Sequence, residues 1–384
     1  AVLIGKAAYL RENGIANLEA LEADAAQRQE LGETALFMAL DGKPAGLLTV
    51  SDPIKATAAE ALQSLHELKV KVIMLTGDHT RTARAVARQL GLAHFQAEVT
   101  PADKIAEVHR LHQAGEAVAM AGDGINDAPA LREADVGVAM GQRGTAVARE
   151  AATLVLLDDN FATIVEAVRG GRRIFHNLQD AFAYLIAFHV PLLVGALVSP
   201  LLGLPLLFLP IHLVWYELVV HPTASLVFQA EEGDAELMRR PPRRGLSLID
   251  RGQFGRSALQ GLFLVAAVLA LYLWRLGAGD APEGARALAL SSLSLGHLGL
   301  ILAARSPDRP FWRRPDPWTR TLGVVVLLSV AAWVALLQWP AAADRFRLAP
   351  LAAGDWLLAA AAAALALVLG ELPKLRLSGR SPGR

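Results

Sequence analysis

Two carboxylates stand four residues apart in the run Gly122-Asp123-Gly124-Ile125-Asn126-Asp127. The apolar run Ala117–Ala121 before it predicts a buried strand, and the glycines predict a tight turn into a helix. Asn126 and Asp127 stand where a helix N-cap belongs, and Pro129 fits the first helical turn. Such a turn points carboxylate oxygens at a cation and backbone N–H groups at an anion, which favours a Mg²⁺ and phosphate site. A plain turn with solvated acids is the alternative.

Two further polar motifs precede this run. Thr76-Gly77-Asp78 directly follows the apolar run Val72–Leu75, and its hydroxyl and N–H groups can hold a phosphoryl oxygen. Thr100-Pro101-Ala102-Asp103-Lys104 begins a predicted helix, and a lysine there is a point charge suited to a phosphoryl group in transfer. A capped turn and a surface lysine are the respective alternatives.

Strand-like runs alternate with helical patterns in the first 157 residues, which predicts an α/β fold with a doubly wound parallel sheet. The predicted strands are Leu36–Leu40, Gly46–Val50, Val70–Leu75, Ala117–Ala121, Val136–Met140 and Leu154–Leu157. The predicted helices are Ala56–Leu68, Thr80–Leu90, Ala102–His112 and Thr145–Ala151. Ligands of such sheets bind at the carboxyl ends of the strands, where the three motifs fall.

The run from Gly122 to Leu131 resembles the hinge motif of P-type ion-pumping ATPases, which belong to the haloacid-dehalogenase superfamily. The order of the other two motifs fits the same family. The resemblance implies an α/β Rossmann-like (haloacid-dehalogenase-type) cytosolic domain followed by an all-α polytopic membrane domain of six helices. It also implies ATP as substrate and Mg²⁺ as cofactor.

The resemblance implies a role for each motif residue. Asp123 and Asp127 would be the Mg²⁺ ligands, with Asn126 supporting the metal, the phosphate and the hinge. The phosphoryl group would be held by Thr76, Gly77, Asp78 and Lys104.

The segment Asp52-Pro53-Ile54-Lys55 resembles the hinge that joins the nucleotide domain of the family to its phosphorylation domain. Lys55 is therefore a candidate contact to ATP, and a plain linker is the alternative. Three domains are expected: the end of a nucleotide-binding domain (1–48), a phosphorylation domain (49–175), and a stalk with a transmembrane domain (176–384). The sequence of the first domain up to Gly42 and that of Ser51–Gly77 most closely resemble the heavy-metal branch of the family.

The phosphorylated Asp-Lys-Thr-Gly-Thr string of the family does not occur in this sequence. The resemblance therefore implies the C-terminal part of a pump, whose partners are ATP, a transported cation, a lipid bilayer and the missing N-terminal part. Such a part should not turn over ATP alone, because covalent catalysis needs its nucleophile. A non-catalytic membrane remnant or regulatory subunit is the alternative, and a membrane-tethered phosphatase ranks last.

Composition agrees with a membrane protein and excludes other classes. The 384 residues are 53% hydrophobic and 19% charged, and the mean hydropathy is +0.36. The formal net charge of +0 gives no footprint of nucleic-acid binding. No cysteine is present, so disulfides and thiolate metal sites are excluded.

Six apolar runs of membrane-crossing length follow residue 180. They are Ala181–Ser199, Leu206–Phe228, Ala258–Trp274, Ala285–Ala303, Leu322–Trp339 and Trp356–Leu372. Arginines cluster after the second and fourth runs and, with Lys374, at the tail, which places these loops and the soluble domain in the cytoplasm. A bacterial plasma membrane is the expected location. Six helices after the hinge fit the calcium, sodium or proton branches of the family and not the heavy-metal branch, which has two.

Ionisable residues inside the apolar runs are candidates for a transported-cation site. Glu217 and His221 are four residues apart and share a helix face, while His189 and His297 lie within the first and fourth runs. By ungapped matching, all four fall on ligand positions of calcium pumps. Imidazole suits transition metals or protons better than Ca²⁺. Burial of Glu217 is expected, and hydrogen bonds between helices are the alternative role for the histidines.

Overall fold

The computed structural model describes residues 1–51, 54–233, 235–239, 247–314 and 318–375. Asp52 and Pro53 of the hinge-like segment lie outside the described residues, as do the arginines and prolines at positions 240–244. The chain divides into two compact units, and the division falls between Gly170 and Gly171. Met238 belongs to the first unit, where it packs beside Val165.

The first unit begins with an antiparallel sheet that is covered by two helices. Its elements are β1 (Val2–Gly5), α1 (Ala7–Glu12), α2 (Glu19–Glu30), β2 (Thr34–Leu40) and β3 (Lys43–Val50). Alternate residues of β2 are buried, including Ala35, Phe37 and Ala39, and they pack against Leu10 and Leu18. The strand order is β1-β2-β3. The prediction that β2 and β3 belong to the parallel sheet was therefore wrong, because a two-residue turn at Asp41 and Gly42 folds them into a hairpin.

The remainder of the first unit alternates strands and helices. Its elements are α3 (Ala56–Glu67), β4 (Ile73–Leu75), α4 (Thr80–Gln89), β5 (His94–Gln96), α5 (Pro101–Gln113), β6 (Ala119–Gly122), a 3₁₀ turn (Ile125–Asp127), α6 (Ala128–Glu133), β7 (Val136–Met140), α7 (Ala146–Ala151) and β8 (Leu154–Leu156). β4 pairs with β5, and β7 pairs with β6 and β8, all in parallel. The α/β prediction is confirmed in this part. β5 was not predicted, since its three residues contain a single apolar side chain, Phe95, and are too few to form a recognisable strand pattern.

Glycines let the turn after β7 pack tightly. A Cβ at Gly141 would lie 2.7 Å from the Leu156 carbonyl oxygen, and one at Gly144 would lie 1.9 Å from the Met140 carbonyl oxygen. Gly141 N–H donates to that Leu156 oxygen at 2.8 Å. The turn then begins α7 with Thr145, whose side chain accepts from Ala148 N–H.

Six helices of the described chain are long and apolar enough to cross a membrane. They are α8 (Ala162–Leu201), the segment Pro210–Gln229, α11 (Arg251–Gly277), α12 (Pro282–Ala304), α13 (Arg320–Gln338) and α15 (Ala353–Leu375). The segment Pro210–Gln229 comprises α9 (Pro210–Trp215), a π-helix (Tyr216–Val220) and α10 (His221–Gln229), and a short α14 (Pro340–Arg345) precedes α15. The six predicted spans are confirmed, and α8 extends its span toward the N-terminus through polar residues.

The helix α12 lies at the centre of the second unit. Its residues from Ala285 to Leu293 are all buried, and they pack against α11, α13 and α15. Glycines allow close approach here. A Cβ at Gly296 would meet Leu264 at 2.2 Å, and one at Gly299 would meet Leu367 at 2.9 Å.

A proline and a glycine form a second close contact in the bundle. Pro191 lies inside α8 and lacks the N–H that would bond the carbonyl of Ala187. Gly261 of α11 packs at this carbonyl, since a Cβ at that position would lie 2.7 Å from the Ala187 oxygen. The missing hydrogen bond of α8 thus makes room for the approach of α11.

Candidate functional site

A lysine and an aspartate meet in the turn after β6. Lys104 Nζ donates to Asp127 Oδ1 at 2.6 Å, and Gly124 N–H donates to Asp127 Oδ2 at 3.1 Å. Asp127 is buried and Lys104 is nearly so. Both carboxylate oxygens of Asp127 therefore have partners, and its carboxylate holds the lysine in place. This pairing was not predicted, because α5 and the β6 turn are brought together only by tertiary packing.

Asp127 stands at the N-cap position of α6, as the sequence predicted. Its side chain makes no capping bond to α6, because it turns back to Gly124 and pairs with Lys104. Asn126 lies in the 3₁₀ turn and is exposed.

The absence of a side chain at Gly122 makes this turn possible. A Cβ at Gly122 would lie 2.7 Å from Asp127 Cβ and 2.8 Å from its Cγ. Such separations are far inside van der Waals contact, so only glycine fits beside the folded-back aspartate. The glycine of the sequence motif is thus explained by the placement of a carboxylate five residues later.

Asp123 is the exposed carboxylate of the turn. Its backbone carbonyl accepts from Thr145 N–H at 2.9 Å, which ties the turn to the start of α7. Mg²⁺ takes only one or two protein carboxylates when it is bound together with a substrate phosphate. Asp123 fits such a ligand, whereas Asp127 is already engaged by Lys104. Within the described ranges, no group of three or more His, Cys, Asp or Glu residues forms a preassembled metal site.

The Thr76-Gly77-Asp78 motif forms a closed turn after β4. Thr76 Oγ1 donates to Asp78 Oδ2 at 3.0 Å and accepts from Asp78 N–H at 3.1 Å. Thr76 N–H donates to the Gln96 carbonyl at 3.0 Å, and Val99 N–H donates to the Thr76 carbonyl at the same distance. Gly77 is exposed, and its nearest heavy atom to an added Cβ is 3.6 Å away. The turn is therefore rigidly held at a strand end with an open backbone.

A capping box places Lys104 on the first turns of α5. Thr100 Oγ1 accepts from Asp103 N–H at 3.3 Å, and Asp103 Oδ2 accepts from Thr100 N–H at 2.8 Å. The hydrogen bonds from the Thr100 hydroxyl and N–H hold the pKa of Asp103 below its usual range. Pro101 fills the first helical position. Thr100 is thus the N-cap of α5 and Asp103 completes the capping box, while the lysine after it reaches Asp127.

Lys55 contacts a turn of the protein itself. Lys55 Nζ donates to the Asp159 carbonyl, and Thr57 Oγ1 donates to Asn160 Oδ1 at 2.8 Å. Asp159 has a φ of 52°, and its carboxylate accepts from the N–H groups of Gln142 and Arg143 at 2.9 and 3.0 Å. These backbone bonds lower the pKa of Asp159, and the nearby Lys55 adds to the effect. Lys55 therefore ties α3 to the turn after β8, which the sequence did not reveal.

In the second unit, Glu217 lies between two histidines. Its Oε1 is 3.1 Å from His189 Nε2, and its Oε2 is 3.8 Å from His221 Nδ1. His189 Nδ1 donates to the Leu185 carbonyl at 2.8 Å. The structure thus brings together three of the four predicted cation-site residues.

The prediction that Glu217 is buried was wrong. Its side chain is 41% exposed, and that of His189 is 45% exposed. The neighbours Leu218 and Val219 are exposed as well. The carboxylate lies within a π-helix, a local widening that often occurs at functional positions.

His297 is separated from this group by an aromatic ring. Phe188 lies 4.3 Å from the His297 ring and 5.1 Å from the His221 ring, measured between centroids. His297 is fully buried, and within the described part of the chain its ring nitrogens have no hydrogen bond of ordinary geometry, although the Phe188 backbone approaches them. By contrast, His212 accepts from Leu209 N–H and bonds the Phe346 carbonyl, so it ties two segments of the second unit together.

The chain is similar to known proteins over most of its length. Residues 205–376 match the family of the C-terminus of cation-transporting ATPases, and residues 1–135 match the haloacid dehalogenase-like hydrolases. The chain is homologous to the C-terminal portion of P-type cation-transporting ATPases. It is 32% identical to a calcium-transporting ATPase of Bacillus subtilis over 342 residues, 82% of this chain and 38% of that protein.

Two mycobacterial P-type ATPases are also similar. A probable cation-transporting ATPase F of Mycobacterium tuberculosis is 33% identical over 367 residues, 86% of this chain and 41% of that protein. A probable copper-exporting P-type ATPase V of the same organism is 40% identical over 206 residues, 53% of this chain and 26% of that protein. The chain spans about two fifths of the length of the first two relatives. A calcium-transporting and a probable copper-exporting ATPase are thus both among the relatives, which agrees with the resemblance of this sequence to two branches of the family.

Proposed function

We propose that this chain is the C-terminal part of an ATP-driven pump that moves a cation across a membrane through an aspartyl-phosphate cycle. The observation that carries the proposal is the arrangement at two strand ends. β4 ends in the closed Thr76 turn, and β6 ends in Asp123 with the Lys104–Asp127 pair beside it. Both are built for a phosphoryl group at the carboxyl edge of a parallel sheet.

The strand pairing supports a nucleophile that comes from another segment. Among the described residues, β4 pairs with β5 alone, and β6 pairs with β7 alone. One edge of each strand therefore offers unpaired N–H and C=O groups. A parallel strand accepted between β4 and β6 would end beside Thr76 and Asp123. An aspartate at that end, supplied by the N-terminal part of the pump, would be the phosphorylated residue.

The residues of this chain then have distinct roles. Lys104 places a positive charge at the phosphoryl group, and Asp127 holds the lysine in that position. The Thr76 turn would offer the exposed Gly77 N–H to a phosphoryl oxygen, and the Thr76 hydroxyl would do the same on leaving Asp78. Bound Mg²⁺ would neutralise phosphate charge, with Asp123 as the protein ligand and Asn126 beside it. Lys55 holds the start of α3 against the turn after β8. We therefore assign it a structural role in preference to a contact with ATP.

The transported cation would bind near Glu217. His189 and His221 flank its carboxylate, and this donor set suits a proton or a transition-metal ion better than Ca²⁺. His297 would join the site only if Phe188 moved from between the rings. The soluble unit, the basic loops and the tail would face the cytoplasm of a bacterium, with the six helices in its plasma membrane.

The test is phosphorylation of the complete pump that contains this chain. With labelled ATP and Mg²⁺, we expect an acid-stable phosphoenzyme, and Asp123→Asn should abolish it because the metal loses its carboxylate. Asp158→Asn, at an exposed turn, is the matched control and should leave phosphorylation unchanged. A phosphoenzyme of normal amount in Asp123→Asn would contradict the assignment. If no phosphoenzyme forms in the unaltered pump under any cation, the non-catalytic alternative is favoured.

A further inference from the structure

A cluster of charged and polar residues, all buried except the half-buried Arg314, lies at one end of the second unit, remote from Glu217. We call it the end cluster, and its members are Asn177, Asp180, Glu231, Arg305, Ser306, Arg314, Glu371 and Lys374. They come from α8, from the segment after α10, from the segment after α12 and from the last turns of α15. Asp180 lies nine residues before His189 on α8, about 14 Å along the helix axis.

The arginines of the end cluster are committed to Glu231. Arg305 Nε and Nη2 lie 2.6 and 3.0 Å from the two oxygens of the Glu231 carboxylate. Arg314 donates to the same carboxylate and to the Arg305 carbonyl. Arg173 Nε and Asn177 Nδ2 donate to the Glu231 backbone carbonyl at 2.7 and 3.0 Å. Glu231 thus takes up the guanidinium donors that approach it.

The lysine of the end cluster is committed as well. Lys374 Nζ lies 2.7 Å from Glu371 Oε1, and it donates to the Ala303 and Ser306 carbonyls at 2.8 Å each. An ammonium group has three hydrogens, so these partners use all of them. Glu371 also accepts from Gln260 and from Phe311 N–H.

Asp180, by contrast, has no lysine or arginine hydrogen-bonded to its carboxyl group among the described residues. Its side chain is 2% exposed, and Oδ1 has no hydrogen bond within the part of the chain that the structure describes. His176 Nε2 is 3.8 Å from Oδ2, too far for a hydrogen bond. The charged groups that face Asp180 from the neighbouring segments are Arg314, Glu231, Asp308 and Lys374. Lys374 spends its three hydrogens on other acceptors, and the hydrogen bonds that Arg314 makes among the described residues go to Glu231 and to the Arg305 carbonyl.

A second unpartnered oxygen lies one helical turn away. Asn177 Oδ1 is buried and has no hydrogen-bond partner among the described residues. The bond from Asn177 Nδ2 to Glu231 fixes the amide orientation, so Oδ1 must be an acceptor. Residues three apart share a helix face, which places the Asn177 amide and the Asp180 carboxyl side by side. A single hydrogen on Asp180 Oδ1, donated to Asn177 Oδ1, would give both of these oxygens a hydrogen-bond partner.

We propose that Asp180 is a proton-binding site and is a neutral carboxylic acid in this structure, with Asn177 Oδ1 as the acceptor of its proton. An ionised carboxylate in this position would be buried with an orphaned oxygen, which proteins avoid. The site is distinct from the proposed cation site, and it does not depend on the proposed function. It holds α8 to the end cluster while the proton is bound.

The test is infrared spectroscopy of the full chain in lipid nanodiscs. We expect the C=O stretch of a buried carboxylic acid, shifted by deuteration, to disappear in Asp180→Asn. Asp308→Asn, an exposed aspartate in the segment after α12, is the matched control and should keep the band. Spectra of Glu217→Gln and Glu371→Gln show whether any other carboxylic-acid band comes from Glu217 or Glu371. Retention of the full band in Asp180→Asn would overturn the proposal.

Thermal unfolding gives an independent measurement. A proton held only by the folded state makes the wild type less stable as the pH rises, because folding must then take up a proton. From about pH 5 to about pH 9, we expect the Tm of the wild type to fall relative to that of Asp180→Asn. A constant difference in Tm over this range would mean that Asp180 is ionised throughout, and would overturn the proposal.

A second variant serves if Asp180→Asn does not fold. Asn177→Ala removes the acceptor but keeps the acid. The C=O band should then move to higher frequency, because the carboxylic acid has lost its hydrogen bond. A band at the wild-type position would show that Asn177 is not the acceptor and would overturn the proposed site.

Discussion

The turn after β6 shows how one missing side chain determines the position of another. Asp127 can fold back onto Gly124 and Lys104 only because Gly122 carries no Cβ. The sequence motif indicated carboxylates and a turn, but it did not indicate which carboxylate would be taken by a lysine. The structure separates the two, since Asp123 stays exposed while Asp127 is enclosed.

Gly122→Ala should mimic the loss of Asp127. The new methyl group would collide with the Asp127 side chain and displace it from Lys104. In the complete pump, we expect phosphoenzyme formation to fall by about 10²–10³-fold, as for the loss of one charge-stabilising group. Gly46→Ala is the control, because nothing lies within 4 Å of a Cβ there. Equal phosphoenzyme in Gly122→Ala and Gly46→Ala would refute the argument.

Glu217→Gln should separate transport from phosphoryl chemistry. The change keeps the size of the side chain but removes the charge between His189 and His221. We expect cation-stimulated ATP hydrolysis to be lost, whereas phosphorylation from inorganic phosphate is retained. Stimulation at the wild-type level would rule out Glu217 as a transport residue. Gln229→Glu, outside the histidine pair, should leave the cation dependence unchanged.

At the scale of elements, local signals predicted the helices and the motif-bearing strands well. The helix that begins at the Thr100 motif and the six apolar runs were predictable because each depends on residues close together in the chain. The hairpin of β2 and β3, the short β5 and the π-helix at Glu217 were not, because pairing and helix packing decide them. The same holds for the separation of His297 by Phe188.

The glycine pair within α8 is a local weakness of that helix. Neither Gly170 nor Gly171 has an atom within 4 Å of an added Cβ, so alanine fits at both positions. Each glycine in a helix interior is less favourable than alanine by about 0.8–1 kcal/mol. The double alanine variant should therefore raise the Tm and slow amide exchange near residue 170.

Gly261→Ala is the opposite control for this prediction. Its Cβ would lie 2.7 Å from the Ala187 carbonyl oxygen, so the same change should lower the Tm. Hydrogen exchange followed by mass spectrometry measures both effects. Unchanged exchange near residue 170 in the double variant would show that the glycines do not limit the stability of α8.

At the scale of the whole molecule, buried charge joins distant parts of the membrane unit. Glu231 links the segment after α10 to the segment after α12 through Arg305 and Arg314. Burial alone would raise the pKa of Glu231, but the two guanidinium groups outweigh it and hold the pKa below the usual range. The positive-inside pattern treated these arginines and Lys374 as loop and tail charges. Burial of Arg305 and Lys374 could not be read from it.

Glu231→Gln should destabilise the membrane unit strongly. Arg305 would remain buried without its counter-charge, at a cost of about 3–5 kcal/mol in the free energy of unfolding. Because the pKa of Glu231 is lowered on folding, its stabilisation is present above the ordinary glutamate range and is lost as the pH falls through the folded value. The Tm values of the wild type and of Glu231→Gln should therefore converge at acid pH. Glu232→Gln, at the exposed neighbour, should unfold like the wild type, and a similar Tm for both variants would contradict this role.

The single-sided pairing of β4 and β6 also has a practical consequence for handling the protein. Strand edges with free backbone groups recruit other strands, including those of neighbouring molecules. Chains expressed without a segment to fill these edges should self-associate through their soluble units, even in a detergent that solubilises the helices. A synthetic peptide of strand-forming sequence, or co-production with the N-terminal part of a relative, offers a direct route to monodisperse material.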